Sequence, residues 1–204
     1  MNKSSLSSKL TLVVIGRSGS GKGTQAELIL KRLGEDAYYV ETGRFLRELL
    51  THENPTTLLA RNIMETGGLF PSWFGAFAWL RELIERGHGG DHLVFDGAPR
   101  KIEEAELMDD VMEWHGRHVP FCIYVDVSEE EASKRLLARR RDDDHPEAIA
   151  NRMNFFKTDV LPVVEFYRAN GRLVHVDGQR TIDEVWKEID AKLISHYKDL
   201  WPSR

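Results

Sequence analysis

The chain has 204 residues, of which 41% are hydrophobic, and these values fit a single domain with one substantial core. Its 28 Lys and Arg residues against 33 Asp and Glu residues give a net charge of −5, so the whole molecule has no electrostatic reason to bind nucleic acid or anionic lipid. The lone cysteine, Cys122, excludes an intramolecular disulfide and a multi-thiolate zinc site. Its place in the apolar run FCIYV predicts a buried, reduced thiol.

The first nine residues are polar and contain no apolar targeting core. The sequence also has no apolar run of the roughly 18 residues that a membrane helix needs. We therefore expect a cytoplasmic protein in which residues 1–9 form a flexible N-terminus and residues 10–204 form one domain.

Short apolar segments alternate along the chain with longer segments of helical periodicity. The predicted strands cover residues 10–15, 37–40, 92–96, 121–127 and 172–176. Because these strands are apolar throughout, they need cover on both faces. The pattern predicts an α/β fold of three layers, in which helices flank a five-stranded parallel sheet.

The stretch GRSGSGK, residues 16–22, follows the first predicted strand and opens a predicted helix. Its glycines let backbone N–H groups approach phosphate oxygens, and Lys22 and the helix N-terminus add positive potential. This is typical of the phosphate-binding loop of a P-loop NTPase, and it predicts a triphosphate site. The candidate binding residues are Gly19, Ser20, Gly21, Lys22, Gly23 and Thr24.

Five further stretches resemble segments of the adenylate kinase family of nucleoside monophosphate kinases. They are ETGRFLREL (41–49), METGGLFPSWF (64–74), DGAPRKIEEAE (96–106), SKRLLARRRDDDHPEAIANRM (133–153) and VDGQRTIDEV (176–185). The first two resemble the segments that bind the acceptor, and the third resembles the family's Asp-Gly-Phe-Pro-Arg stretch. The fourth resembles the arginine-rich lid, and the fifth the loop beside the donor base. With the GKGTQ loop, the resemblance covers nearly the whole chain after Lys9.

The resemblance implies transfer of the γ-phosphate of ATP to a nucleoside monophosphate, most simply AMP, with Mg²⁺ as cofactor. It implies an acceptor-binding segment at about residues 41–74 and a short lid at about residues 139–146. The implied acceptor-binding residues are Thr42, Gly43, Arg47, Gly97, Arg100 and Glu104. The resemblance also implies that Arg135 and Gly178 lie beside the donor base.

Phosphoryl transfer depends mainly on positioning and electrostatic stabilisation, so the reaction requires several fixed cations. Arginine is suited to this because its planar group binds phosphate through two N–H groups and keeps its charge. The predicted catalytic residues are Lys22, Asp96, Arg100, Arg139, Arg141 and Arg152, and Arg140 is interpreted as a surface charge. No serine or cysteine nucleophile is needed, since the attacking oxygen belongs to the acceptor phosphate.

The acidic candidates each have two interpretations. Asp96, at the end of HLVFD, could cap a turn, or it could contact Mg²⁺ through water, with no direct protein ligand to the metal. The second interpretation fits Gly23, which stands where other phosphate loops place a metal-binding hydroxyl. Asp142 and Asp143 could hold the lid by pairing with arginines or could stabilise a helix N-terminus.

Three departures from the family pattern bear on the acceptor. Ala98 stands where the family's Asp-Gly-Phe-Pro-Arg stretch has phenylalanine, which enlarges the space near the acceptor. Arg44 stands where the family has an acidic residue near the metal, which predicts low turnover. Glu104 stands where adenylate kinases have a glutamine that reads adenine. A carboxylate facing the base would suit guanine better, because it only accepts hydrogen bonds. Glu104 could instead point outward on its acidic helix, and we favour AMP, with GMP or another monophosphate as the alternative.

Two other functional classes are considered. A regulatory GTPase would need an Asn-Lys-x-Asp motif, which the sequence lacks. A catalytically weak nucleotide-binding scaffold is the second alternative, but the joint presence of Lys22, Asp96, Arg100 and Arg141 favours an enzyme. We expect a monomer whose partners are ATP and a nucleoside monophosphate, and we expect neither nucleic acid nor a membrane among them.

Overall fold

The structure, a computed structural model, describes residues 6–85, 90–139, 141 and 144–202. The strands are β1 (Thr11–Ile15), β2 (Ala37–Glu41), β3 (His92–Asp96), β4 (Phe121–Asp126) and β5 (Leu173–Asp177). The helices are α1 (Lys22–Leu33), α2 (Thr42–Leu49), α3 (Pro55–Glu65), α4 (Ser72–Glu85), α5 (Ile102–Trp114), α6 (Glu129–Arg139), α7 (Pro146–Phe155), α8 (Leu161–Ala169) and α9 (Ile182–Tyr197). The strand predictions are confirmed to within one residue at each end.

The five strands form one parallel sheet in the order β2-β3-β1-β4-β5. The chain fills one side of β1 with β2 and β3 and then crosses to the other side for β4 and β5. The carboxyl end of β1 is therefore a topological switch point, which is where open α/β sheets bind ligands. The phosphate loop begins there, directly after Ile15.

The core lies on both faces of the sheet, as the apolar strands predict. On one face Leu12 and Val14 of β1 pack with α1 and α9, which contribute Ile29 and Ile189. On the other face, β1 packs with helices α4, α5 and α8. The three-layer P-loop fold is thus confirmed.

Two smaller apolar clusters support the segments that follow β2 and β4 at the carboxyl edge of the sheet. One joins α2, α3 and α4 and includes Phe45 and Phe74. The other joins α6 and α7 and includes Leu136 and Met153. After α7 the chain continues through a π-helical turn, Phe156–Val160, before α8 begins.

Part of the segment 1–9 is ordered against the domain. Leu6 is buried, and Lys9 Nζ lies 3.0 Å from the Asp36 carboxylate. Residues 1–5 lie outside the described residues. Cys122 is buried as predicted, and its burial raises the pKa of the thiol. No helix in the described part of the chain is long and apolar enough to cross a membrane.

Candidate active site

The loop after β1 has the backbone geometry of an anion site. Gly19 and Gly21 adopt φ values of +86° and +85°, in the left-handed region that favours glycine. A Cβ atom on Gly19 would lie 2.5 Å from the carbonyl oxygen of Ala132, so the close packing of α6 also requires glycine there. Gly21 caps α1 without a side chain, and the first turn of α1 carries no acidic residue. The N-terminal N–H groups of α1 are therefore open to a negatively charged ligand.

A cleft of about 680 Å³ lies over this loop. It is bounded by the phosphate loop, α2, the turn between α3 and α4, the end of β3, and helices α6 and α7. The predicted site residues that line it are Gly19, Gly21, Lys22, Gly23, Thr24, Gly43, Arg47, Asp96, Gly97, Arg100, Arg135, Arg139, Arg141 and Arg152. The fold thus brings side chains from distant parts of the sequence to one cavity.

Positive charge is concentrated at the centre of the cleft. Burial lowers the pKa of Lys22, and the charges of Arg100, Arg139 and Arg152 lower it further, whereas Asp96 raises it. Burial also lowers the pKa of Arg100. Cations held this close together repel one another, so an anionic ligand is the natural partner for the cleft.

Two of the cleft arginines, at the end of α6 and in α7, are held by one buried aspartate. Asp144 Oδ1 accepts hydrogen bonds from Arg139 Nη2 at 2.9 Å and Arg152 Nη1 at 2.8 Å, and Asp144 Oδ2 accepts from Arg139 Nε at 2.9 Å. Burial alone would raise the pKa of Asp144, but these bonds and charges outweigh it and lower the pKa. Arg140, Asp142 and Asp143, for which sequence interpretations were given, lie outside the described residues.

Three predicted residues, Ser20, Thr42 and Gly178, are not among the described residues that line the cleft. Arg135 Nη1 donates to the carbonyl oxygens of Gly178 at 3.1 Å and of Ser20 at 3.5 Å. Ser20 is itself buried. Thr42 is also buried, and its hydroxyl donates to the carbonyl oxygen of Asp96 at 3.1 Å.

Where α2 borders the cleft, Arg47 Nη2 lies 2.9 Å from Glu41 Oε1. Arg100 Nε donates to the carbonyl oxygen of Gly97 at 2.7 Å. Gly97 has a φ of +86°, and a Cβ atom there would lie 2.6 Å from Thr42 Oγ1, so glycine is required by both conformation and space.

Glu104 lies in neither of the two positions considered from the sequence. It is only 3% exposed, so it does not point outward. It is also not among the described residues that line the cleft. Its carboxylate accepts hydrogen bonds from Trp79 Nε1 at 3.2 Å and from the Arg100 backbone N–H at 2.8 Å. Burial raises the pKa of Glu104, against the opposing effect of these bonds and of the Arg100 charge.

Comparison with known proteins decides the family. The family model described as adenylate kinase matches residues 14–172. The chain belongs to the adenylate kinase family. It is 33% identical to an adenylate kinase of Parabacteroides distasonis over 184 residues, covering 88% of this chain and 95% of the relative. It is 34% identical to an adenylate kinase of Thermus thermophilus over 186 residues, covering 89% and 96%.

The chain is also similar to a protein that is not named as an adenylate kinase, UMP-CMP kinase 1 of Oryza sativa subsp. japonica. It is 34% identical over 188 residues, which cover 90% of this chain and 74% of the relative. These comparisons make the protein a nucleoside monophosphate kinase that uses ATP, as the sequence motifs predict.

The surroundings of Asp96 fit the hydrated Mg²⁺ that this kinase family uses with ATP. Asp96 Oδ2 accepts a hydrogen bond from the Tyr39 hydroxyl at 2.8 Å. Asp96 Oδ1 is buried and has no hydrogen-bond partner among the residues that the structure describes. A Cβ atom on Gly23 would lie 3.3 Å from Asp96 Oδ2, so a larger residue would crowd the carboxylate. Within residues 6–85, 90–139, 141 and 144–202, no cluster of side chains could bind a metal ion directly.

Sequence reasoning missed three residues of this kinase that hold the site together. Asp144 is the third member of an aspartate run, and its spacing of eight residues from Arg152 was the available signal. Tyr39 ends in contact with Asp96 because β2 and β3 are neighbours, which no local motif reveals. Glu41 ends β2 and pairs with Arg47 six residues later, and because this separation is neither the i, i+3 nor the i, i+4 spacing of helical pairs, no local pattern indicates it.

Proposed function

We propose that this kinase transfers the γ-phosphate of ATP to AMP and so forms two molecules of ADP. The observation that carries the proposal is the convergence of Lys22, Arg100, Arg139 and Arg152 on one cleft above the phosphate loop. Fixed cations around a transferring phosphate are the main protein contribution to this reaction.

ATP binds with its phosphates against the loop and the N-terminus of α1. Lys22 and the backbone N–H groups of the loop hold the phosphate oxygens. Arg135 and Gly178 lie on the donor side and fix the loop relative to β5. The lid lies at about residues 139–146, and its described arginines, Arg139 and Arg141, close over the γ-phosphate and exclude water that would otherwise hydrolyse it.

The acceptor binds against residues 41–74 and the turn at Gly97. In the structure Arg47 is paired with the Glu41 carboxylate. The phosphate of the acceptor replaces Glu41 as the partner of Arg47, and this phosphate also contacts Arg100. An oxygen of this phosphate attacks the γ-phosphorus as the bond from that phosphorus to the bridging oxygen of ADP breaks. Arg100, Arg139 and Arg152 stabilise the charge that spreads over the transferring group.

Asp96 is the residue that would hold the magnesium ion, through coordinated water and with no direct bond. When bound with ATP, Mg²⁺ neutralises negative charge on the β- and γ-phosphates. Tyr39 keeps the Asp96 carboxylate oriented through its hydroxyl group. Arg44 is exposed on α2 and supplies no carboxylate, which supports the expectation of low turnover.

AMP is favoured over GMP because Glu104 already accepts hydrogen bonds from Trp79 and Arg100. A preference for guanine would require that carboxylate to face the base. The adenylate kinases among the relatives support AMP, whereas the similarity to UMP-CMP kinase 1 of Oryza sativa makes a pyrimidine monophosphate the second candidate. A monomeric state and a cytoplasmic location stay predictions.

The test is the initial rate of ADP formation from ATP and Mg²⁺ with AMP, GMP, CMP and UMP in turn. We expect AMP to give the highest kcat/KM, by about tenfold or more over GMP. A higher kcat/KM with CMP or UMP would select the second candidate. If no ADP forms with any of the four acceptors, the protein acts as the catalytically weak nucleotide-binding scaffold.

A further inference from the structure

Glu104 is a charged residue buried between α4 and α5, at a position where burial is costly unless the charge is hydrogen bonded. Each of its two oxygens has a donor: Trp79 Nε1 lies 3.2 Å from Oε1, and the Arg100 backbone nitrogen lies 2.8 Å from Oε2. The carboxylate therefore joins α4 to the turn that carries Arg100.

Gly75 provides the space for this carboxylate. A Cβ atom on Gly75 would lie 3.0 Å from Glu104 Oε1 and 3.4 Å from Oε2. Glycine inside a helix destabilises it by about 1 kcal/mol relative to alanine, so its presence within α4 needs a packing reason. Close contact with the Glu104 carboxylate is such a reason.

The two donors suit a carboxylate better than an amide. Glutamate accepts a hydrogen bond on each oxygen, whereas glutamine has one acceptor oxygen and presents an NH₂ group in place of the other. With glutamine at position 104, either the Trp79 indole N–H or the Arg100 backbone N–H would lose its acceptor in a buried site.

We propose that Glu104 is a positioning residue that fixes Arg100 for the acceptor phosphate, and that it does not read the acceptor base. Glu104 anchors the Arg100 backbone, and the Arg100 side chain is anchored by Nε to the Gly97 carbonyl oxygen at 2.7 Å. With both ends held, the rest of the guanidinium is directed to the cleft that Arg100 lines. This inference rests on the proposed function, in which Arg100 contacts the acceptor phosphate.

The first test is Glu104→Gln, with Glu103→Gln as the matched control on the exposed face of the same helix. We expect kcat with AMP and with GMP to fall by the same factor, about tenfold, because a hydrogen bond that orients Arg100 is lost. The ratio of kcat/KM for the two acceptors should change less than threefold, and Glu103→Gln should match the parent. A change in that ratio of more than tenfold would show that Glu104 reads the base and would overturn the proposal.

The second test combines Glu104→Gln with Trp79→Phe. Removal of the indole donor leaves the backbone N–H groups of Arg100 and Lys101, which the single amide oxygen can accept. We therefore expect the double variant to recover at least threefold in kcat relative to Glu104→Gln. The kcat of Trp79→Phe alone is measured as well. If the kcat of the double variant falls by the product of the factors found for Glu104→Gln and Trp79→Phe, the shared contact does not position Arg100.

The third test needs no activity. The indole N–H signal of Trp79 in a nitrogen-proton correlation spectrum is assigned by its loss in Trp79→Phe. We expect Glu104→Gln to shift this signal and Glu103→Gln to leave it in place. If Glu104→Gln leaves the signal in place, the positioning contact is overturned. If Glu104→Gln shifts the signal but the parent protein forms no ADP, only the proposed function is overturned.

Discussion

Asp144 shows how a single side chain can organise the catalytic cations. Its side chain is 0% exposed, and it accepts hydrogen bonds from both Arg139 and Arg152. These arginines come from the end of α6 and from α7, so their orientation toward the cleft depends on a common acceptor between them. Removing one member of a buried ion pair leaves the other charges uncompensated, which is more costly than the pair is stabilising.

We predict that Asp144→Asn lowers both activity and stability. The kcat should fall roughly tenfold to hundredfold, because Arg139 and Arg152 lose the acceptor that fixes their geometry. The free energy of unfolding should fall by about 2 kcal/mol, since Arg139 remains partly solvated. Initial rates and urea unfolding at neutral pH measure the two effects.

The control for this variant is Asp110→Asn, which removes an exposed carboxylate from α5 and should match the parent in both measurements. A kcat for Asp144→Asn within threefold of the parent, in a protein that is folded, would mean that Arg139 and Arg152 do not depend on Asp144 for catalysis.

At the scale of elements, the strands and the phosphate loop were predictable because their signals are local. An apolar run such as β1 indicates a buried strand by itself, and the glycines and Lys22 that follow it indicate an anion-binding turn. The spacing of Ile149, Met153, Phe156 and Val160, at i, i+4, i+7 and i+11, likewise indicates one apolar helical face, and all four residues are buried.

Contacts between elements were not predictable in the same way. The stripe through Phe156 gives no sign that the chain passes through a π-helical turn at Phe156–Val160, because apolar spacing does not distinguish a π turn from an α-helix. The buried position of Glu104 was not foreseen, for a related reason. Its burial depends on Trp79 and on the space above Gly75, which belong to another helix.

At the scale of the whole molecule, His92 links the stability of the fold to pH. It begins β3, and its Nδ1 accepts a hydrogen bond from the Leu10 N–H at 3.0 Å, so protonation of Nδ1 would break this contact. The pKa of His92 is lowered to about 4, mainly by burial and additionally by the charges of Lys9 and Arg117, against the opposing charges of Asp36 and Asp91.

Because the folded pKa of His92 lies below its unfolded value, the unfolded chain binds more protons between these two pKa values. The stability from neutral His92 is therefore fully present above pH 6.5 and is lost as the pH falls toward 4. We predict that the free energy of unfolding decreases between pH 7 and pH 5, with about 1 kcal/mol of the decrease due to His92, which is about half of what the full pKa shift gives over this range because solvent screens the half-buried imidazole.

The variant His92→Asn isolates this contribution, since the asparagine Oδ1 can accept from the Leu10 N–H without titrating. Urea unfolding at pH 7 and pH 5 should show a smaller loss in the variant than in the parent. Equal losses in the two proteins would mean that His92 does not contribute to the pH dependence.

The central claim is that the cations of one cleft move the γ-phosphate of ATP to a nucleoside monophosphate. The most direct measurement follows radioactive phosphate from γ-labelled ATP in the presence of Mg²⁺ and AMP, for the parent, Lys22→Ala and the exposed control Lys31→Ala on the same helix. We predict that label appears in ADP with the parent and with Lys31→Ala, and that Lys22→Ala slows its appearance by about a thousandfold without loss of the fold. Label released as inorganic phosphate, or transfer by Lys22→Ala within tenfold of the parent, would contradict the account.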